Sequence, residues 1–442
     1  MLLEGYKESP VGVIPADWSF DELKSFIEIK HGYAFPGEHF GDKGAILLTP
    51  GNFKRTGGLY FNERNTKRFN SDYPAEYELK ADDLVVVMTD LSVKCEILGN
   101  MGLVTEDEPL LHNQRIGKIN FLSNSLSKEY LLYLAQAEDY KRYIQNTATG
   151  TTVRHSSPSK ILDAKVAVPP LPEQKKIAQI LSTVDSKLTL IDQQIAATQT
   201  LKKGLMQKLF SEGVGTQDAD GNWQPHTEFK DSELGRIPVG WEVTLLDKLA
   251  NRGSGHTPDK QKPEYWNGGI KWISLADSSK LDQGPIDTTD KEISSLGIDN
   301  SSATLHPKGT VVLSRDAGIG KSAVMDQEMA VSQHFIVWNC EPKGLLNNWY
   351  LYYLLQLMKP EFERIAIGST IKTIGLPFFK KLRIAHPSNM AEQKQIAKIL
   401  STVDCKLNRL NTKKSQTQQL KKGLMQKLLT GQIRVKPDSQ DY

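Results

Sequence analysis

The chain has little cysteine, no long apolar run and almost no net charge, and each shortage excludes a class of protein. Its three cysteines, Cys95, Cys340 and Cys405, stand far apart among 442 residues, with no CxxC pair. That usage argues against a disulfide framework or a structural zinc site and fits a reducing cytosol. No stretch approaches the roughly 18–20 consecutive apolar residues that span a bilayer. The opening MLLEGYKESP has no basic segment followed by an apolar core. A cytoplasmic location with no membrane contact is therefore expected. A net charge of +3 is too small to indicate nucleic-acid binding, so any basic surface must be local. Hydrophobic (39%) and charged (24%) contents are ordinary for a globular chain.

What is present is a repeat. Residues 173–209 read EQKKIAQILSTVDSKLTLIDQQIAATQTLKKGLMQKL, and residues 392–428 read EQKQIAKILSTVDCKLNRLNTKKSQTQQLKKGLMQKL. A long internal repeat fixes the architecture before any local signal does. In the first copy Ile177, Leu181, Val184, Leu188, Ile191 and Ile195 alternate steps of four and three, the seam of a coiled coil. The pattern then changes register and continues through Leu201, Leu205 and Leu209. The second copy repeats the seam at Ile396, Leu400, Val403, Leu407 and Leu410, with Lys414 where Ile195 stood. About 40 residues at 1.5 Å rise make each helix roughly 60 Å long. A single-seam helix cannot bury its stripe alone. The economical partner is its own copy in an antiparallel pair, with a parallel pair or pairing between chains as alternatives. Gly204 and Gly423, inside the identical nonamer, suggest close approach of another backbone or an earlier helix end.

The repeat extends faintly into the parts between. Gly12-Val-Ile-Pro15-Ala-Asp-Trp18 matches Gly235-Arg-Ile-Pro238-Val-Gly-Trp241. Strands are expected at 45–48, 83–88 and 118–121, and again at 270–274, 309–314 and 335–339. Helices follow at 128–143 and 347–356. The fold class is α+β: two mixed α/β domains (1–168 and 235–387) joined by two long helices (169–213 and 388–432). The helices form an antiparallel intramolecular coiled coil with pseudo-two-fold arrangement. Residues 214–234 read as a polar linker and 433–442 as a tail.

At these residues the chain resembles the specificity subunit of a type I restriction–modification system. The resemblance covers essentially the whole length. It rests on the order domain, helix, domain, helix, on the Glu-Gln-x-x-Ile-Ala-x-Ile-Leu helix entry and on the Leu-Lys-Lys-Gly-Leu-Met-Gln-Lys-Leu helix end. His256-Thr-Pro258, Tyr265-Trp-Asn-Gly-Gly269 and Gly32-Tyr-Ala-Phe35 are similar to openings of such domains. The resemblance implies a non-catalytic subunit whose two domains each read half of a split, asymmetric site in double-stranded DNA, with the helices fixing the spacer. It implies two methyltransferase subunits docked on the helices and motor–nuclease subunits in the full complex. No cofactor is expected on this chain; S-adenosylmethionine, ATP and magnesium belong to the partners.

The motifs agree with that negative. The sole Pro-Pro, at Pro169-Pro170, opens a helix and is no methyltransferase loop. Gly320-Lys-Ser322 lacks the glycine that a phosphate loop needs at position 315, which is Arg315. The nine histidines form no HExxH and no metal-ligand cluster.

Base edges and phosphates are held by polar and basic side chains, and loops following strands offer them in both halves. In the first domain the candidates are Asn52, Lys54, Arg55, Thr89, Lys94, Asn113, Gln114, Arg115, Thr151, Thr152, Arg154 and His155. In the second they are Lys271, Ser274, Ser314, Arg315, Lys321, Ser332, Gln333, His334, Ser369, Thr370 and Lys372. Gln114 and Gln333 stand out because each precedes a basic residue at an equivalent point. Arg315 suits a bidentate contact to guanine. The lysine surplus of the second helix offers a phosphate track or a solvated face. Competing readings are a stand-alone DNA-modifying enzyme and a protein–protein scaffold.

Overall fold

The computed structural model describes residues 4–105, 108–368 and 372–436. The chain gathers into two compact units. One holds the residues up to Asp192 and those from Thr412 onward; the other holds Gln193–Asn411.

The first unit is built on continuous apolar strands. Leu84–Val87, buried throughout, is an inner strand of an antiparallel sheet in the order Met101–Leu103, Leu84–Val87, Ile116–Phe121, Ile27–His31. A second, mixed sheet contains a parallel pair, Ala45–Leu48 with Leu110–His112. One core of the unit joins Trp18, Leu84, Tyr130 and Ile144 to Ile177 and Leu181 of the first long helix and Leu428 and Leu429 of the second. The helical stretch expected at 128–143 is two helices, Lys128–Leu134 and Glu138–Thr147. Ser127 caps the first by accepting from the Tyr130 N–H, and Ala137, extended at ψ 144°, separates the two.

The second unit repeats the plan. Phe335–Asn339 and Val311–Ser314 are inner strands of a five-stranded sheet. Trp266–Ile273 pairs in parallel with Met329–Val331, as Ala45–Leu48 does with Leu110–His112. That strand starts four residues earlier than its apolar run indicates, because Trp266 already pairs with Ile293 before a bulge. The polar stretch between the halves carries short ladders, Thr216–Gln217 with Trp223–Gln224 and Phe229–Ser232 with Gly235–Pro238.

The long helices run Leu171–Ser211 and Met390–Leu429, and each contributes to both units. Their pairing is antiparallel, and the same contact is made in each unit. In the first, Lys421 Nζ lies 2.7 Å from Asp185 and over the Tyr133 ring, while the Tyr133 hydroxyl donates to Asp185 at 3.0 Å. In the second, Lys202 Nζ lies 2.6 Å from Asp404 and over Tyr353, whose hydroxyl donates to Asp404 at 2.9 Å. Ile177, Leu181, Ile191, Ile396, Leu400 and Leu410 are buried, and Val184, Leu188, Ile195, Val403 and Leu407 are half-buried. Two expectations need correction. Leu201 and Leu420, expected in the stripe, leave it, each 52% exposed, while Thr198 and Thr417 stay in it as their spacing expects and Met206 is buried as well. Gly204 and Gly423 mark neither a close backbone nor a helix end: the helices continue, and an added Cβ would meet nothing within 4 Å.

The repeated Glu-Gln entry has a structural cause. Glu173 accepts the Trp18 indole N–H at 2.9 Å, and Glu392 accepts that of Trp241 at 3.1 Å. Gln174 accepts from the Ser127 N–H and donates to Ser125 and Pro169 carbonyls. Gln393 does the same with Asn347, Leu345 and Pro387. The two residues fasten each helix start to the domain preceding it.

Candidate nucleic-acid interface

In each unit three loops converge on the residue that follows a central strand. In the first, the Met88 N–H donates to the Arg115 carbonyl (2.9 Å) and the Met88 carbonyl accepts from Ser156 (3.0 Å). In the second, the Arg315 N–H donates to His334 (3.0 Å) and its carbonyl accepts from Ile374 (2.9 Å). The loops after the strand, around the Gln and after the glycine turn are thereby brought together twice. The backbone pairing makes Arg115 and His334, and Gln114 and Gln333, structural counterparts.

Not every candidate faces outward. Thr89 is buried, with its hydroxyl 3.1 Å from His155 Nδ1. Ser314 is buried and donates to the Ala317 carbonyl at 3.2 Å; Ser332 is buried too. Asn52 is fully buried, bonded to Thr49 and to the Asn65 carbonyl, and Ser274 is bonded to Asp277 in the matching turn. Asn52, Ser274 and Ser314 hold loops in shape, because a small polar side chain in a buried turn satisfies groups of the turn itself, whereas Thr89 bonds the His155 ring and, among the described residues, the Ser332 hydroxyl has no hydrogen-bond partner. Arg154 donates to the Gly150 and Ala148 carbonyls and so staples its own turn.

The exposed candidates of the first unit are Lys54, Arg55, Lys94, Gln114, Arg115, Thr151, Thr152 and His155, with Asn113 half-buried. Arg55 pairs with Glu96 at 2.9 Å. In the second unit Gln333 and Lys372 are exposed, while Arg315, His334, Lys271 and Lys321 are half-buried. Lys271 is engaged with Glu292, whose carboxyl it holds below its ordinary value, and Lys321 donates to the Ser278 carbonyl at 3.0 Å. Ser369 and Thr370 lie outside the described residues. Of the second helix's lysines, Lys414 and Lys421 pair with Asp192 and Asp185, so they belong to the helix pairing.

Sequence reasoning missed the acids beneath these loops. Asp90 accepts from Ser92, Ile97 and Leu98 N–H groups and shapes its loop. Asp316, 12% exposed, receives His334 Nδ1 at 2.5 Å and the Thr373 hydroxyl. An aspartate within three residues of each strand end, Asp90 after Val87 and Asp316 after Ser314, was the available signal. Among the described residues, no group of three or more His, Cys, Asp or Glu is placed to hold a metal. No described helix is long and apolar enough to cross a membrane.

The family model for the type I restriction modification DNA specificity domain matches twice, at residues 15–199 and 238–420. The chain belongs to that family. Its members are non-catalytic subunits that confer DNA specificity, and this chain is one. It is 27% identical to the type I restriction enzyme MjaVIII specificity subunit of Methanocaldococcus jannaschii, over 98% of this chain and 97% of that one. The fold is similar to that of the type I restriction–modification S subunit from M. genitalium, with a TM-score of 0.57 at 15% identity over 93% and 96% of the chains. A chain from a study of assembly and conformational transition in the type I system gives a TM-score of 0.58 at 14% identity, covering 95% and 99%. Both matched segments run from a globular region into a long helix, as the repeated Trp–Glu and Tyr–Asp–Lys contacts do.

Proposed function

We propose that each unit reads one half of a bipartite, asymmetric DNA site and that the long helices set the spacer between the halves. The observation that carries this is the contrast between like supports and unlike loops. The Trp18–Glu173 and Trp241–Glu392 bonds and the two Tyr–Asp–Lys clusters repeat residue for residue. The loop ends they support differ: Gln114-Arg115 against Gln333-His334, and Thr89 against Asp316. Supports that repeat suit a partner that binds twice, and loops that differ suit two unlike half-sites. Two methyltransferase subunits would dock on the repeated helices, and motor–nuclease subunits would complete the complex. S-adenosylmethionine, ATP and magnesium would act in those partners, in the cytoplasm.

The test is an exchange of residues 18–166 for the corresponding part of another family member, followed by sequencing of methylated adenines in cells. One half of the methylated sequence changes and the other half and spacer stay. A change in both halves refutes the modular reading.

A further inference from the structure

The second unit contains a directed chain of side-chain hydrogen bonds running from the segment after the strand Asn251–Ser254 across its three converging loops. The Thr257 hydroxyl donates to Gln333 Oε1 at 2.5 Å. Gln333 Nε2 lies 3.5 Å from His334 Nε2, and His334 Nδ1 lies 2.5 Å from Asp316 Oδ2. The Thr373 hydroxyl donates to the other Asp316 oxygen. Asp316 is the sink of the chain: a carboxylate accepts only, so it holds the His334 proton on Nδ1. In the tautomer with that proton on Nδ1, Nε2 offers a lone pair toward which the Gln333 amide turns its N–H side. A flipped amide would set a carbonyl oxygen against that lone pair. The Thr257 hydroxyl holds the carbonyl side in place.

We infer that Thr257 and Asp316 are positioning residues that lock the Gln333 amide to present one donor and one acceptor, in fixed order, to the major-groove edge of an adenine. Adenine offers an N7 acceptor beside an N6 donor, and a bidentate amide matches it. After its two internal bonds, Gln333 retains one N–H and one carbonyl lone pair for this purpose. The first unit lacks the device. The Tyr33 N–H donates to His112 as the His256 N–H does to Val331, so Ala34 stands where Thr257 does. Thr89 takes the place of Asp316 and Arg115 that of His334. Among the described residues, the exposed Gln114 amide has no side-chain hydrogen bond, so its orientation is free.

This rests on the reading that the unit recognises a half-site, and the experiment separates the two. The full chain is expressed with its methyltransferase subunits, and methylated adenines are mapped for wild type, T257V, T257S and D316N. The expected result is that T257V and D316N lose roughly five- to a hundred-fold discrimination at one A·T position of one half-site. The other half-site and the spacer stay unchanged, and T257S, which keeps the hydroxyl, retains the wild-type sequence. An unaltered sequence in both T257V and D316N overturns the positioning role, as does relaxation at a G·C position or equal effects of T257V and T257S. A wild-type chain giving no bipartite sequence overturns the half-site reading itself. If D316N fails to fold, the T257V and T257S pair decides, since Thr257 lies at the surface edge of the chain of bonds.

Discussion

Glu392 receives four donors: the Trp241 indole at 3.1 Å, the Val214 and Gly215 N–H groups at 3.0 and 3.1 Å, and His226 Nε2 at 2.9 Å. Its side chain is 4% exposed, so the carboxylate rather than solvent satisfies these donors. Removing the carboxylate strands two donors in fully buried bonds, the Trp241 indole and the Gly215 N–H, each costing about 1–3 kcal/mol. Glu392→Ala should therefore destabilise the second unit by about 2–6 kcal/mol, read as a lower urea midpoint. Glu173 has the same role with Arg434 in place of His226, taking guanidinium bonds at 2.9 Å. His112 gives a second prediction at this scale. It is buried beneath the first unit's Gln114 loop, its Nε2–H donates to the Ile116 carbonyl, and burial pushes its pKa down to about 4. Folding thus favours the neutral ring. The stability from this group is complete above the unfolded pKa near 6.5 and is lost as pH falls through about 4. The loss approaches about 3 kcal/mol, from about 1.4 kcal/mol per pKa unit. Denaturation of the first unit followed from pH 7.5 to 4 should show it, and His112→Gln should flatten the profile. His306 and His386 in the second unit are shifted the same way by burial.

At the scale of the element, the long helices bury alternate threes and fours and leave the rest to water. The Asp185–Lys421 and Asp404–Lys202 pairs fix their antiparallel register, because a parallel pair would not bring these residues opposite one another. Tyr133 and Tyr353 hold the acids from the domain side, so each helix is registered against a domain as well as against its copy. Within these helices Gly204 and Gly423 have open space beside them. A mid-helix glycine costs about 0.5–1 kcal/mol relative to alanine. Gly204→Ala and Gly423→Ala should each raise the melting temperature of the isolated chain, consistent with that gain. A fall would mean that the glycine is required for a contact the chain makes with itself.

For the whole molecule, the repeated helices carry the prediction. Deleting one heptad from each long helix should shorten the spacer in the methylated sequence and leave both half-sites as they were. Whole heptads preserve the seam, so the helices still pair, whereas a deletion of two residues would rotate the stripe into water. Mapping methylated adenines checks this, and an unchanged spacer would count against the helices as the determinant of spacing.

Much of this was legible without coordinates because it is periodic or repeated. The seam from Ile177 to Ile195, the break at Pro169-Pro170 and the strands at 45–48 and 335–339 follow from local pattern, which burial enforces. The order of domains and helices follows from the repeat itself. What only the tertiary structure decided concerns residues distant in the chain and without a period. Sequence cannot show that Trp18 meets Glu173, that Thr89, Ser314 and Ser332 point inward, or that Thr257, Gln333, His334 and Asp316 form one chain of bonds. Loop side chains obey no periodicity, and whether a hydroxyl faces solvent or its own turn depends on where three separate loops meet. The sequence determined the scaffold; the folded loops determined which of its polar residues are free to read.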